Sequence, residues 1–498
     1  MTNLATARFY LIVATAGGVL MAFEILSARL LSPHFGSSVY VWGSVISVFL
    51  AAMSLGYWWG GRLADRRPSM VVLGTLLLVA GLCMAWIGFA GQPLIAVVAE
   101  KTGSSPWGTL LAAGLLFGPA TIFLATVSPF AIKLATRDVS RLGKTAGHLY
   151  AISTIGSLAG TLICTFVLIP LLRIELILGL LLAVTAITGC AALAEQLRQQ
   201  KLLAALALSL LVAAVATARP AVLTDESLLF KRMTPYQTLM VEEHDGVRYL
   251  KSDRVQHSSV RLSDGLPVSR SYPRFAAGAL LLQPELENLL VVGMGAGNVG
   301  TYLRSQLPEL AVDYVDIDPA IPEAARRFLL FEDAAGITVH VDDGRRFLAA
   351  SQKHWDYIYV DTYIGNSIPF HLCTVEFFRE VDQHLAPGGV MGINLSSSLD
   401  RPFARAMLRS VSEVFPSVYV LSVQASTNQF VMASAARTRL PVTALEARAT
   451  ELDRRWHFEP SLGEIVKRHS RVDLDLLAVE PLSDQFAPVN YLIRFDAE

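Results

Sequence analysis

Gly293, Gly295 and Gly297 stand at alternate positions in LLVVGMGAGNVGTYLRSQL, behind an apolar run that reads as a buried strand and ahead of a helical pattern. Glycines in that place let the backbone turn tightly into the helix and approach a ligand that side chains would exclude. A second apolar run, VDYVDID, ends in Asp316 and Asp318, about twenty residues after the loop, where a carboxylate grips ribose hydroxyls. A third run, ITVHVDD, ends in Asp342 and Asp343, and a fourth, WDYIYVDTY, delivers Asp361 at the open end of its strand. A carboxylate so placed serves as a general base or stabilises a nearby cation. The spacing therefore predicts a nucleoside site with an acid available for chemistry.

The elements that must hold these residues alternate. Strands at LLVVG, VDYVDID, ITVHVDD, WDYIYVDTY and GVMGINL are separated by helical patterns near 299–307, 320–331, 344–351 and 374–386, with Pro387, Gly388 and Gly389 marking a turn. This order predicts a doubly wound, mostly parallel α/β sheet, Rossmann-like over 286–498, with its ligand at the carboxyl ends of the strands. Ahead of it, residues 225–285 alternate apolar and polar positions around a turn at Asp245 and Gly246 and read as a small β-hairpin layer. The charged tail from 440 onward reads as helical.

Composition divides the chain again. Hydrophobic residues make up 53% and charged residues 17% of its 498 residues, and the apolar excess lies in the first 220. Runs of spanning length cover 9–31, 39–61, 71–91, 109–132, 149–171, 175–195 and 202–218, so residues 1–220 read as a multi-pass helical membrane domain of about seven spans. The chain is thus expected to be an integral protein of the cell (inner) membrane, in contact with the lipid bilayer. Basic residues cluster after spans two (Arg62, Arg66, Arg67), four (Lys133, Arg137, Arg141, Lys144) and six (Arg198, Lys201), which places the amino terminus in the cytoplasm. Seven crossings would then put the α/β domain outside, whereas supply of a nucleoside substrate argues for the cytoplasm; both orientations stay open. Within the spans, Glu24 and Arg29 are candidate ion-pair partners, and Gly156 and Gly160 fit close helix packing. The net charge of −1 gives no reason to expect nucleic acid, and the four cysteines (Cys83, Cys164, Cys190, Cys373) have neither metal-ligand spacing nor a disulfide framework. No metal site is expected.

From Thr234 to about Asn394 the chain resembles the spermidine synthase (polyamine aminopropyltransferase) family, a variant of the S-adenosylmethionine methyltransferase fold. The resemblance is carried by TPYQ at 234–237, Val255-Gln256, VVGMGAG, DIDP at 316–319, DDGRRFL at 342–348, Val360-Asp361-Thr362 and LAPGGV. The membrane half resembles amino-terminal domains fused to such synthases. By position, the resemblance implies Asp316 on the ribose, Asp343 at the adenine amino group, Gln237 and Gln256 flanking the substrate, and Asp361 as base. Tyr272, Ile317, Asp342, Gly344, Thr362 and Tyr363 complete the implied site. It also implies S-adenosylmethionine or its decarboxylated form as substrate, no permanently bound cofactor, a small-molecule acceptor, and a homodimer as an open question.

Departures from the family pattern are specific. Ala296 replaces an acid in the glycine loop, Ile364 replaces the second acid of D-x-x-D, and the expected Y-H-E survives only as Tyr272 before Pro273 and Arg274. Carboxylates there would pair with ammonium groups, so a polycationic acceptor is expected to bind poorly. Loss of the loop acid also lifts a repulsion against the carboxylate of intact S-adenosylmethionine. The leading expectation is an enzyme that cleaves or transfers the three-carbon side chain with release of methylthioadenosine, including by intramolecular cyclisation. An S-adenosylmethionine-dependent methyltransferase and a non-catalytic nucleotide sensor on a transporter-like bundle are the other readings.

Overall fold

The computed structural model describes residues 3–35, 39–102, 105–136, 139–193, 227–253, 255–269, 271–365, 367–423, 426–470 and 479–494. The chain divides into two compact units, Met1–Leu223 and Thr224–Glu498.

Among the described residues of the first unit, six helices are long and apolar enough to cross a membrane: Ala7–Ser32, Val39–Arg66, Met70–Thr102, Pro106–Ala135, Leu142–Leu171 and Ile174–Ala192. They coincide with the first six predicted spans; the seventh, at 202–218, lies outside the described residues. The first and fifth of these helices approach closely at small residues. A Cβ on Gly156 would collide with the backbone of Ala14, and one on Gly160 with that of Gly18. Both glycines are thus needed for packing, the role that small residues take between apolar helices. Glu24 and Arg29 lie half-buried on the first helix.

The described residues of the second unit form two sheets. Strands β1 (Leu228–Met233), β2 (Thr238–His244), β3 (Val247–Ser252) and β4 (Val255–Arg261) form an antiparallel meander in the order β1-β2-β3-β4. The predicted hairpin is the β2–β3 connection. Asp245 and Gly246 both take positive φ (50° and 73°), the left-handed pair that closes a two-residue hairpin turn without splaying the strands. The predicted hairpin layer is therefore larger than expected, because β1 and β4 add a strand to either side.

The larger sheet has eight strands. β5 (Asn288–Val292), β6 (Ala311–Asp316), β7 (Ile337–Val341), β8 (Trp355–Val360) and β9 (Leu385–Ser396) are parallel, and β10 (Ser417–Ser422), β11 (Asn428–Ser434) and β12 (His469–Ser470) extend one edge antiparallel, in the order β12-β10-β11-β9-β8-β5-β6-β7. The sheet is mostly parallel, as the alternation predicts, with an antiparallel edge that makes it mixed. Hydrophobic runs at 417–422 and 428–434, separated by a short polar stretch, pair as a hairpin with no crossover helix. The Pro387-Gly388-Gly389 turn lies within β9, where the pairing with β8 shifts register between Trp355 and Tyr357. Apolar layers cover both faces. One gathers Leu289, Val291, Tyr357 and Phe430; the other gathers Leu290, Val292, Ile358 and Phe377. Burial on both faces explains why β5 and β8 read as continuous apolar runs with no alternation. β8 and β5 lie side by side at the centre, so their carboxyl ends, with those of β6 and β9, meet at one rim.

Candidate active site

The loop after β5 is built around its glycines. Gly293, Gly295 and Gly297 all have positive φ (92°, 53° and 75°), which L-residues with side chains rarely adopt. Their neighbours leave no space either: a Cβ on Gly293 would collide with the backbone carbonyl of Asp361, and one on Gly297 with the Phe331 ring. The loop thus packs directly on the end of β8. From Gly297 the chain enters the helix Asn298–Arg304.

Asp316, at the end of β6, accepts hydrogen bonds from the backbone N–H of Met294 (3.0 Å) and of Asp318 (3.0 Å). Burial pushes its carboxyl up to about 6, against the lowering effect of these N–H groups. Asp318 faces the meander: it accepts from Thr234 Oγ1 (2.6 Å) and Gln237 Nε2 (3.2 Å), while the Gln237 carbonyl accepts from Ser252. The TPYQ segment is thereby fixed against the β6 turn. Ser258 of β4 accepts from the Ala296 N–H (3.3 Å), and Asn298 donates to the Ser259 carbonyl (3.2 Å), which ties the meander to the glycine loop as well.

These elements enclose a cavity of about 290 Å³, whose wall includes Gln237, Tyr272, Gly293, Gly295, Asp316, Ile317, Asp343, Gly344, Asp361, Thr362 and Tyr363. Most of the predicted site residues are therefore brought together, with three differences. Gly297 serves the helix start and is not on the wall. Gln256 is exposed and lines a second chamber. Asp342 is held by an ion pair to Arg346, one helical turn ahead, and does not reach the cavity. Gly344 is required for packing, since a Cβ there would collide with Val292. Of the two missing acids, the position of Ile364 lies on the wall, whereas Ala296 is 3% exposed, belongs to the apolar layer and contributes no wall atoms.

Asp343 caps the helix Gly344–Ala350, its Oδ1 accepting from the backbone N–H groups of Arg345 (3.1 Å) and Arg346 (3.0 Å). Its other oxygen meets His371 Nε2 at 2.9 Å. Burial works to raise this carboxyl, but the two N–H groups and His371 outweigh it and hold it below the ordinary value. Nothing in the sequence reading pointed to His371, which follows no strand and reaches the wall from a 3₁₀ turn, Phe370–Leu372.

Asp361 is placed where β8 ends. Asn394, near the end of the neighbouring β9, donates to its Oδ1 at 2.9 Å, and Asn428 of β11 donates to the Asn394 carbonyl at 2.8 Å. Burial raises Asp361 to about 6, offset in part by Asn394 and by the Tyr272 phenol. The same burial, with the Asp361 charge beside it, pushes the phenol well above its usual value, so Tyr272 stays protonated; it donates to the His257 carbonyl at 2.7 Å. Asn394 and Asn428 are site residues that the sequence reading missed. Asn394 was reachable by the rule that parallel strands present their chemistry at their carboxyl ends, but Asn428 begins an antiparallel strand that was not foreseen.

The second chamber, about 700 Å³, shares His257, Ser258, Tyr272, Asn298, Asp361 and Tyr363 with the first. Asp361 thus stands where the two meet. Two buried side-chain atoms beside the cavities, His257 Nε2 and Thr362 Oγ1, have no hydrogen-bond partner among the described residues. Burial lowers His257 to about 4, so its imidazole is neutral at physiological pH.

Comparison with known proteins gives consistent results. Residues 275–439 match the spermine/spermidine synthase domain. The chain is similar to a polyamine aminopropyltransferase of Vibrio vulnificus, at 30% identity over 280 residues, covering 53% of this chain and 91% of that protein. It is also similar to the eEF1A lysine and N-terminal methyltransferase of Bos taurus, at 29% identity over 169 residues, covering 31% of this chain and 24% of that protein. Among solved structures, spermidine synthase from Thermotoga maritima aligns at 17% identity with a TM-score of 0.37, covering 54% of this chain and 88% of that one.

Proposed function

The chain belongs to the spermidine synthase-like, polyamine aminopropyltransferase family, and from that premise we propose that its α/β unit transfers the three-carbon side chain of an S-adenosylmethionine-type sulfonium and releases methylthioadenosine. The adenosine end occupies the enclosed cavity, with Asp316 on the ribose hydroxyls and Asp343 at the adenine. Gln237, held by Asp318 and Ser252, flanks the side chain. The side chain then points toward Asp361, and an acceptor amine approaches from the second chamber. The amine attacks the carbon next to sulfur, the carbon–sulfur bond breaks, and its electron pair returns to sulfur as a neutral thioether. Asp361, ionised above about 6, takes the proton that the amine must lose.

The observation that carries this reading is the position of Asp361: a half-buried carboxylate, oriented by Asn394, at the seam of a nucleoside-sized cavity and a wider chamber. The test is the Asp361→Asn variant, which is expected to bind methylthioadenosine as the wild type does while turning over at least about a hundredfold more slowly, the scale of losing a general base.

Cyclisation of intact S-adenosylmethionine is a second reading. It is favoured by Ile364, which lines the cavity where an amine-binding acid would stand; Ala296, off the wall, lends it no support. It requires release of methylthioadenosine from the intact donor with no added amine. Similarity to a methyltransferase keeps methyl transfer as a third outcome, marked by S-adenosylhomocysteine as product. The six apolar helices support attachment of the enzyme to a lipid bilayer.

A further inference from the structure

The second chamber has a wall with little charge. Hydroxyl and amide groups dominate it, among them Gln256, Ser271, Asn394, Ser396, Ser426 and Asn428, and among the described residues that line it Asp361 is the one carboxylate, with no lysine or arginine. Its amides are already tied together. Asn428 donates to Asn394, and the Asn428 carbonyl accepts from Ser426 (3.0 Å) and Ser396 (3.2 Å). Asp253 is not on this wall; its Oδ1 accepts from the Thr238 backbone N–H at 2.9 Å. His257, at the seam, is neutral.

We propose that this chamber selects an acceptor with a single amine whose remaining polar groups are uncharged hydrogen-bonding groups, such as an amino alcohol, and discriminates against diamines and polyamines. This rests on the transfer reading above and adds the acceptor class to it. The wall is partly open, with Gln256, Ser396 and Ser426 exposed, so an ammonium bound there gives up part of its hydration, and neutral dipoles return less of that loss than an anionic partner would. Asp361 serves the attacking nitrogen, and among the described residues of the wall a second ammonium meets neutral dipoles. A hydroxyl, in contrast, both donates and accepts, and so joins a wall of serines and amides at either polarity. The step balances as for any such transfer. The amine lone pair forms the new carbon–nitrogen bond, the carbon–sulfur pair returns to the thioether, and the proton passes to Asp361.

The full-length protein is incubated with decarboxylated S-adenosylmethionine and either 3-amino-1-propanol or 1,4-diaminobutane, and both the thioether and the mass of the amine adduct are followed. The amino alcohol is expected to drive release at least about tenfold faster than the diamine, the ratio set by one unmatched interaction. Gln256→Glu, an isosteric change at an exposed position of the chamber, is expected to shift that ratio toward the diamine by about tenfold through one charge-assisted contact. Faster reaction of the wild type with the diamine overturns the acceptor assignment and leaves the transfer reading intact. Methylthioadenosine release with neither amine overturns the transfer reading itself.

Discussion

At the scale of single residues, the site depends on how burial and hydrogen bonding divide the work among its carboxylates. Asp343 is held ionised by two backbone N–H groups and His371, whereas burial raises Asp316 and Asp361 to about 6. A base with that value is protonated and idle in acid. The rate under subsaturating substrate is therefore expected to rise with pH through about 6 and then level. Asn394 donates to Asp361 and so favours its ionised form. In Asn394→Ala the rising limb is expected to move to higher pH by about one unit, the differential worth of one hydrogen bond to a charged group. A limb unmoved in that variant, measured with the same substrates, would separate Asp361 from the rate. Asp316→Ala is expected to weaken methylthioadenosine binding by about 2–4 kcal/mol, one or two charge-assisted hydrogen bonds, as calorimetry would report. Unchanged affinity would take the ribose away from Asp316.

At the scale of elements, the glycine loop and the end of β8 form one piece. Gly293 combines a φ of 92° with a backbone pressed against the Asp361 carbonyl. Gly293→Ala is therefore expected to cost about 2–4 kcal/mol in chemical denaturation, from left-handed strain and the displaced strand end. It should lose methylthioadenosine affinity as well; a variant of wild-type stability would show that the loop is free to move. The parallel core was legible because β5, β6 and β8 are apolar runs that end in Gly293, Asp316 and Asp361, and the turn after each run fixes which residue meets the ligand. The antiparallel edge was not. A hairpin at 417–434 has neither a glycine-asparagine turn signal nor a helix to mark it, and its pairing with β9 depends on long-range burial. That is why Asn428 escaped notice. His371 escaped because a 3₁₀ turn carries no periodicity, and Ala296 was misjudged because sequence spacing places a residue in a loop without telling which way its side chain faces.

At the scale of the whole molecule, the synthase-like unit and the six apolar helices belong to one chain, and the spermine/spermidine synthase match falls within the second unit. The helices were legible from composition alone, because a run of twenty apolar residues admits few other fates. Helix contacts at Gly156 and Gly160 were legible for the same reason that makes them fragile: Gly156→Val would drive a side chain into the Ala14 backbone. It is expected to lower the unfolding midpoint of the protein in detergent, while the conservative change at the open position Gly143→Ala, where a Cβ meets nothing, should leave that midpoint in place. Equal midpoints for the two variants would contradict the close approach of the first and fifth apolar helices. The central claim concerns chemistry at sulfur, and one measurement addresses it most directly: the identity of the thioether formed when the full-length protein meets decarboxylated or intact S-adenosylmethionine together with an amine. Methylthioadenosine, appearing with an equal amount of amine adduct and lost in Asp361→Asn, is the expected result; S-adenosylhomocysteine, or no thioether from either donor, would contradict it.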